Sequence, residues 1–590
     1  MSPVPSSEFD ADRFNRIAAT LPEIDRLTAE FVDKHHLPGL AYGVIAGGQL
    51  IHAGSVGLAD TTATLPVSRR TLFRIASMTK SFVAVAILQL RDAGRLGLDD
   101  PVARYVPELA LLASPTTDAP PLTLRHLLTM NVGWPEDNPW GDRQLALDDA
   151  ALSALLAQGV TFASSPNTQY EYSNLAYMIL GKVVHQVSGQ PFQEYTAQHI
   201  LQPLGMLNAR WNLDRVDQPV AKGYRLVDGE FVEEPAAWAP CGGDAAGFGG
   251  LYLSVDDLAK WVAFFLSAWP PHDGAENSVL RRSSLREMQR CANLRPPPAS
   301  AQPIGRPLKW EVGGYAFGLF AAETTEFGRL VGHAGGLPGF GSHMVWLPDR
   351  DIGVATLSNC TYAPAVASAM QILHYLVTNA QLASRPVQPH PALLSAQTDV
   401  IRLIQRWDDV LADALVAVNF FLDTPRDVWR QRFESLQRRH GVLQVDGEIE
   451  IRNPLRGQWK MRGARGWCTI WITLTPTVPP RVQHLSIDSI LPPEDKMQEA
   501  LKDVLAATAK PTLRAVNRIF APEIDRREML THLRVVNLLY GAPTLKSIIG
   551  GDGVERCVAR VQSDRGVLEL TITLHLRTGK VRHAEFRSVA

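Results

Sequence analysis

Three short stretches carry residue types that could do chemistry together. In "RIASMTKSF" (74–82), Ser77 and Lys80 stand three residues apart where an apolar run begins. A serine hydroxyl is a poor nucleophile until a base takes its proton. A lysine at i+3 shares its helix face and can reach it. Burial and a nearby cation would lower the lysine pKa and free the amine as that base, while the helix N-terminus adds partial positive charge. In "QYEYSNLAYMILGKVV", Tyr172 and Asn174 lie where a loop gives way to a helix that Ser173 or Asn174 could cap. A phenol near Lys80 could pass protons between nucleophile and leaving group, with Asn174 orienting the substrate. In "GRLVGHAGGLPGFGSHMVW", His333 precedes Ala334-Gly335-Gly336 on a strand, and glycines there let a backbone N–H approach a ligand as an oxyanion hole requires. Each stretch alone also has a plain structural explanation: a cap with a solvated lysine, a tyrosine packed beside a cap, and hairpin glycines beside a surface histidine. Ser-x-x-Lys by itself is a weak signal.

The elements that must position these groups are legible in outline. The N-terminal 31 residues read as an amphipathic helix rather than a secretory signal, which implies a cytoplasmic protein. "GLAYGVIAGGQLIHAGSVGLAD" reads as a β-hairpin around Gly47-Gly48. The run from Ser77 is apolar on most sides, so its helix must be buried, ending near Gly94. Further helices are expected from Thr123 and around 150–158, 175–188 and 255–267, followed by an antiparallel meander over 310–358 and a helix at "MQILHYLVTNAQL". A hairpin, a helical middle and a returning meander predict one sheet with strands from both ends of the segment.

A chain of 590 residues is too long for one core. The reading divides it into a catalytic domain (1–382), a proline-bearing linker (383–400) and two small α+β units (401–495 and 496–590), each a helix laid on an antiparallel sheet. The last two read as a duplication: "AVNFFLDTPRDVWRQRFESLQRRHG" lines up with "AVNRIFAPEIDRREMLTHLRVVNLLYG", and Arg465-Gly466 recurs as Arg565-Gly566. Their pattern loosely resembles the cystatin-like or NTF2-like fold, an analogy that assigns no function. With 46% hydrophobic and 20% charged residues and a net charge of −2, the composition is that of a globular protein with no call for a polyanion. Five scattered cysteines without a Cys-x-x-Cys give neither a disulfide framework nor a zinc site. No stretch approaches the roughly 20 apolar residues of a membrane span.

In this order, Ser-x-x-Lys, Tyr-x-Asn and His-x-Gly resemble the serine β-lactamase and penicillin-binding-protein superfamily, most of all its class C-type branch of D-aminopeptidases, family VIII-like esterases, transacylases and β-lactamases. The likeness runs through "TLFRIASMTKSF", "GRLGLDDPVARYVPE", "LTLRHLLTMNVGWP", "YEYSNLAYMILGKVV", "GGLYLSVDDLAKW" and "GHAGGLPGFGSHMVWLPDRDIGVATLSN", from about residue 20 to 380. It implies an α+β fold with a β-lactamase/DD-peptidase-like catalytic domain, an antiparallel sheet flanked by helices. It also implies an acyl-enzyme on Ser77, with Lys80 and Tyr172 sharing the acid–base work. Asn174, His333, Gly335 and Gly336 would then bind substrate, and the N–H groups of Ser77 and Gly336 would form the oxyanion hole. No metal or organic cofactor is implied.

Departures from the family pattern narrow the expectation. His-Ala-Gly replaces the Lys-Thr-Gly that engages a substrate carboxylate, and a histidine is only partly charged at pH 7. This marks down β-lactamase and DD-carboxypeptidase activity. The usual His-Thr-Ser-Gly is here Thr129–Gly133, "TMNVG". "CGGDAAGFGG" lacks the Gly-Lys-Ser/Thr of a phosphate loop and reads as a cleft border, and "RDVWRQRFESLQRRHG" reads as a solvated helix face rather than a nucleic-acid site. The expected function is a serine hydrolase cutting a small ester or the amide of a D-residue or modified peptide. A cytoplasmic transacylase is the second enzyme reading, and an idle scaffold binding partners through the C-terminal units is the third. Expected partners are a small-molecule or peptide substrate and a second copy of the chain, with no nucleic acid and no membrane.

Overall fold

The computed structural model describes residues 11–214, 216–235, 239–295 and 311–589. The chain divides into two units whose boundary in sequence lies at Arg385 and Pro386.

In the first unit, Gly39–Ala46 and Gln49–Asp60 form the hairpin. Gly47 and Gly48 both take positive φ, 57° and 73°, as a tight two-residue turn demands. Gly39–Ala46 also pairs with Ile352–Ser358, Val44 facing Val354, so strands from the two ends of the unit share one sheet. Among the described residues the strand order is Leu65–Pro66, Gln49–Asp60, Gly39–Ala46, Ile352–Ser358, Phe340–Leu347, Gly328–Leu337, Phe320–Thr324, Glu311–Tyr315 and Asn293–Leu294, antiparallel throughout.

Both faces of this sheet are covered, which explains central strands with no polar face. Successive side chains point opposite ways. Leu40, Tyr42 and Val44 pack with Val345 and Val354 against the helices Ala11–Lys34 and Ala365–Asn379, through Ile17, Ile24, Ile372 and Leu376. Ala41 and Ile45 face the other core, with Met344, Trp346 and Trp261 of the helix Val255–Leu266. Trp261 stacks on Phe82 with ring centroids 3.8 Å apart, tying the helix Lys80–Asp92 to the sheet side of the core. Among the described residues no helix is long and apolar enough to cross a membrane.

The second unit contains one structural pattern twice. Helices Pro391–Gln405, Asp409–Leu415 and Arg426–His440 precede four strands between Gln444 and Ile490. Helices Asp495–Ala509, Leu513–Ile519 and Arg526–Tyr540 precede four more between Thr544 and Ser588. The eight strands form one sheet in sequence order, and its two halves meet at a parallel pairing of Ile490 with Gly551. Cys468, Ile470, Ile472 and Leu474 bury one face against Trp429, Phe433 and Leu436, and Leu568, Leu570, Ile572 and Leu574 do the same with Leu533 and Val536. Outside that face, Arg430 bonds Asp409 at 2.9 Å.

Here the structure differs from the linker read over 383–400. Pro391 begins a helix whose Leu393, Val400 and Leu403 belong to the first repeat's core. Proline is well suited to a first helical position, because its missing N–H would have had no helical partner there, and the His390 side chain accepts from the Ala392 N–H. The proline that suggested a linker is a helix start.

Candidate active site

Ser77 is held by the chain just before it. Phe73–Arg74 pairs with Tyr252–Leu253, and the Ile75 N–H donates to Leu251 O at 2.9 Å. Ala76 takes a φ of +50°, a left-handed conformation that costs a non-glycine residue about 1–3 kcal/mol. The next turn is a 3₁₀ helix, Ala76–Thr79, before the α-helix starts at Lys80. In 3₁₀ geometry residues i and i+3 eclipse one another. Lys80 Nζ accordingly lies 3.0 Å from Ser77 Oγ. The expected helix start is therefore a tighter turn, and the tightening aligns the pair.

Lys80 is completely buried and Ser77 is nearly so. The amine donates to Asn174 Oδ1 at 2.7 Å and to Phe248 O at 2.8 Å, and lies 4.9 Å from the centroid of the Tyr172 ring. Burial pulls its pKa down to about 7, with the charges of Asp142 and Asp137 opposing. The cation expected to assist this shift is absent among the groups acting on Lys80, whose neighbours are acids. Desolvation alone outweighs them. The Tyr172 phenol is pushed well above its ordinary range by burial, against a hydrogen bond with Ser77 that favours its ionised form.

Asn174 starts the helix Asn174–Ser188, capped by Ser173, whose hydroxyl accepts from the Ala176 N–H. Asp137 secures the same terminus by accepting from the N–H groups of Asn174 (2.6 Å) and Leu175 (3.0 Å), a favourable place for an anion. The Asn174 amide donates to Asn138 Oδ1 at 3.0 Å, which leaves its carbonyl turned to Lys80.

Gly335 and Gly336 lie on the strand Gly328–Leu337 beside the Ser77 turn. A Cβ at Gly335 would sit 2.3 Å from Ile75 O and 2.2 Å from Ser342 Oγ, which itself donates to Ile75 O at 2.8 Å. Backbone cannot yield as a flexible side chain does. Gly335→Ala is expected to lower stability by about 1–3 kcal/mol and to slow acylation of Ser77, read by thermal melts and by the rate of adduct formation.

His333 is placed beside the site, but not as a half-charged binder of carboxylates. It is 1% exposed. Its Nδ1 lies 2.5 Å from Ala334 O, an atom that only accepts, so Nδ1 carries the proton and Nε2 accepts from the Tyr315 hydroxyl at 3.0 Å. Burial, reinforced by the charge of Lys80, drives its pKa to about 3. It is neutral at pH 7, and both ring nitrogens are engaged.

Several contributors were not visible in the sequence. Asp137, Asp142 and Tyr315 sit in stretches without a diagnostic spacing. The glycine-rich 241–250 segment, read as a border, forms a 3₁₀ turn, Asp244–Phe248, that ends in the carbonyl bound by Lys80. That turn is anchored by Asp244, which accepts from Phe192 N–H (3.0 Å), lies 2.7 Å from His185 Nδ1, and donates its own N–H to Asp149. Asp149, His185 and Asp244 could be arranged as metal ligands, with ligand atoms within 4.8 Å of one another. Those ties instead serve to hold the turn.

A family model described as Beta-lactamase matches residues 24–377, a span that contains Ser77, Lys80, Tyr172, Asn174 and His333. The chain belongs to the Beta-lactamase family. Protein flp of Staphylococcus aureus (strain MW2) is 27% identical over 351 residues, covering 57% of this chain and 62% of that protein. Penicillin-binding protein 4* of Bacillus subtilis (strain 168) is 26% identical over 341 residues, covering 55% and 69%. The chain thus spans less than two thirds of flp's length. The octameric penicillin-binding protein homologue from Pyrococcus abyssi superposes with a TM-score of 0.52 at 19% identity, over 96% of this chain and 100% of that one. This is a likeness of fold. The β-lactamase-like architecture expected from the motifs, an antiparallel sheet flanked by helices and followed by a C-terminal α+β sheet region, is the one present.

Proposed function

We propose that this member of the Beta-lactamase family is a serine hydrolase that works through an acyl-enzyme on Ser77. The observation that carries the reading is a buried amine, held near pKa 7, 3.0 Å from a serine hydroxyl. Near neutral pH a large share of Lys80 is unprotonated and can take the Ser77 proton as Oγ attacks the substrate carbonyl. Tyr172, whose phenol keeps its proton, suits the other half of the exchange: it donates to the leaving group and is reprotonated from Lys80. The N–H groups of Ser77 and Gly336 would hold the oxyanion. The leaving alcohol or amine departs, and water releases the acid. Small esters and amides of D-residues or modified peptides remain the substrate classes of this reading. Self-association belongs to it too, supported by the homologue described as octameric.

The names of relatives such as penicillin-binding protein 4* favour acylation by β-lactams, and the neutral, buried His333 speaks against it. Intact-protein mass after a fluorophosphonate, benzylpenicillin, p-nitrophenyl esters and D-amino-acid p-nitroanilides separates these. One adduct with the fluorophosphonate, turnover of an ester or anilide, and little penicilloyl adduct is the expected result. An adduct without turnover would favour acyl transfer to an absent acceptor. No adduct at all would leave the scaffold reading.

A further inference from the structure

Asp142 moves no proton in the proposed reaction, yet its carboxylate stands at the edge of the site. It follows the short helix Asn138–Gly141, which packs so closely on Asn174 that a Cβ at Gly141 would lie 2.7 Å from the Asn174 Cβ. One oxygen receives a long contact from Asn174 Nδ2, at 3.5 Å, and the other accepts from the Tyr362 hydroxyl at 2.9 Å. Tyr362 belongs to the opposite wall. It follows the strand Ile352–Ser358, and its ring lies against Gly336, where an added Cβ would meet Cδ1 at 2.8 Å. The Asp142–Tyr362 bond therefore joins the wall that carries Asn174 to the strand that carries Gly336, as a bar across one end of the site.

The two halves of the bar differ in a way that suits a gate. Asp142 is 5% exposed, whereas Tyr362 is 53% exposed and holds a φ of +49°, rare and strained for an aromatic residue. Among the described residues the side-chain bonds to Asp142 come from an amide and a phenol, with none from a cation. A buried carboxylate without a cationic partner is unusual. The nearby charges are Glu136, Asp137 and Lys80 around Asp142, with Arg143 and Glu234 around Tyr362. Lys80 is already engaged by Ser77, Asn174 and Phe248, and His333 offers no charge.

We propose that Asp142, covered by Tyr362, is a specificity residue that selects substrates whose acyl group carries an ammonium or guanidinium over uncharged or carboxylate-bearing ones. The proposal rests on the serine hydrolase reading. A substrate cation would take the Tyr362 hydroxyl's place on Asp142 with a shorter, charge-assisted bond, and the ring, being exposed, would swing aside. A substrate carboxylate would instead face Asp142, with Glu136 and Asp137 close behind it.

The test uses the full chain and p-nitrophenyl esters of three acyl groups of equal length, ending in ammonium, methyl or carboxylate. The quantity read is the ratio of kcat/KM for the ammonium ester to that for the methyl ester, in which any change common to both substrates cancels. That ratio is expected to be about thirtyfold in the parent, to fall close to one in Asp142→Asn, and to persist or rise in Tyr362→Phe, with the carboxylate ester slowest in the parent. A ratio near one in the parent, or one retained in Asp142→Asn, overturns the proposal. Where turnover is slow, the rates of Ser77 acylation measured by mass give the same ratio. Adducts formed without charge preference would overturn this proposal alone, whereas no adduct from any ester would remove the hydrolase reading and the proposal with it.

Discussion

Ser77→Ala is expected to lose the fluorophosphonate adduct entirely and to lower ester turnover by about 10⁴-fold or more, with a thermal midpoint close to the parent's. The two expectations together make the result diagnostic. In the proposed mechanism Oγ is the atom that bonds covalently to substrate, so removing it should abolish the adduct. The structural loss is small, because Lys80 keeps Asn174 Oδ1 and Phe248 O as acceptors. The Ala76 turn and the strand pairing that precedes it do not involve the serine side chain. A variant that kept its adduct would place the nucleophile elsewhere. One that lost its fold as well would make Ser77 structural.

Replacement of Lys80 by alanine should cost about 10³-fold in kcat/KM, within the range of a lost general base, and should change the pH profile as well as the rate. In the parent, kcat/KM is expected to rise with pH through about 7 as the amine loses its proton. In Lys80→Ala that limb should vanish. Stability carries an independent signature of the same group. Burial lowers the folded-state pKa from 10.5 to about 7, so between those values the unfolded chain holds a proton that the folded chain has released. The contribution of Lys80 to stability therefore increases as pH rises through that window and is lost as pH falls back through 7. Asp142 has the opposite sense: burial raises its pKa from 3.8 to about 6, so its contribution is present below 3.8 and lost as pH rises through 6. Denaturant melts of parent and Lys80→Ala between pH 6 and 10 check the first sign. A slope shared by both proteins would assign it to some other group.

These effects come from burial, which bears on how much the sequence could say. That Ser77 and Lys80 meet was legible, because i, i+3 spacing at the start of an apolar run is a local geometric fact. The hairpin at Gly47-Gly48, the meander after residue 310 and the duplicated C-terminal pattern were legible for the same reason: glycine conformation and side-chain periodicity act over a few residues. The helix start at Pro391 is not legible in the sequence, because proline occurs both in linkers and at first helical positions, and only the packing of Leu393 and Val400 distinguishes them.

What the sequence by itself determined is the set of reactive residue types, their order, and the elements that carry them. Tertiary structure alone decided their chemical state. His333 is neutral because the fold encloses it and supplies Tyr315 and a carbonyl as partners. The Lys80 pKa falls to about 7 because desolvation outweighs two nearby acids, one of them 62 positions away in the chain. Asp142 and Tyr362, 220 residues apart, meet only because the sheet returns its last strands beside the helices of the middle. Spacing along a chain fixes neighbours within a turn or a strand, whereas desolvation and long-range pairing depend on what the whole fold brings to a point.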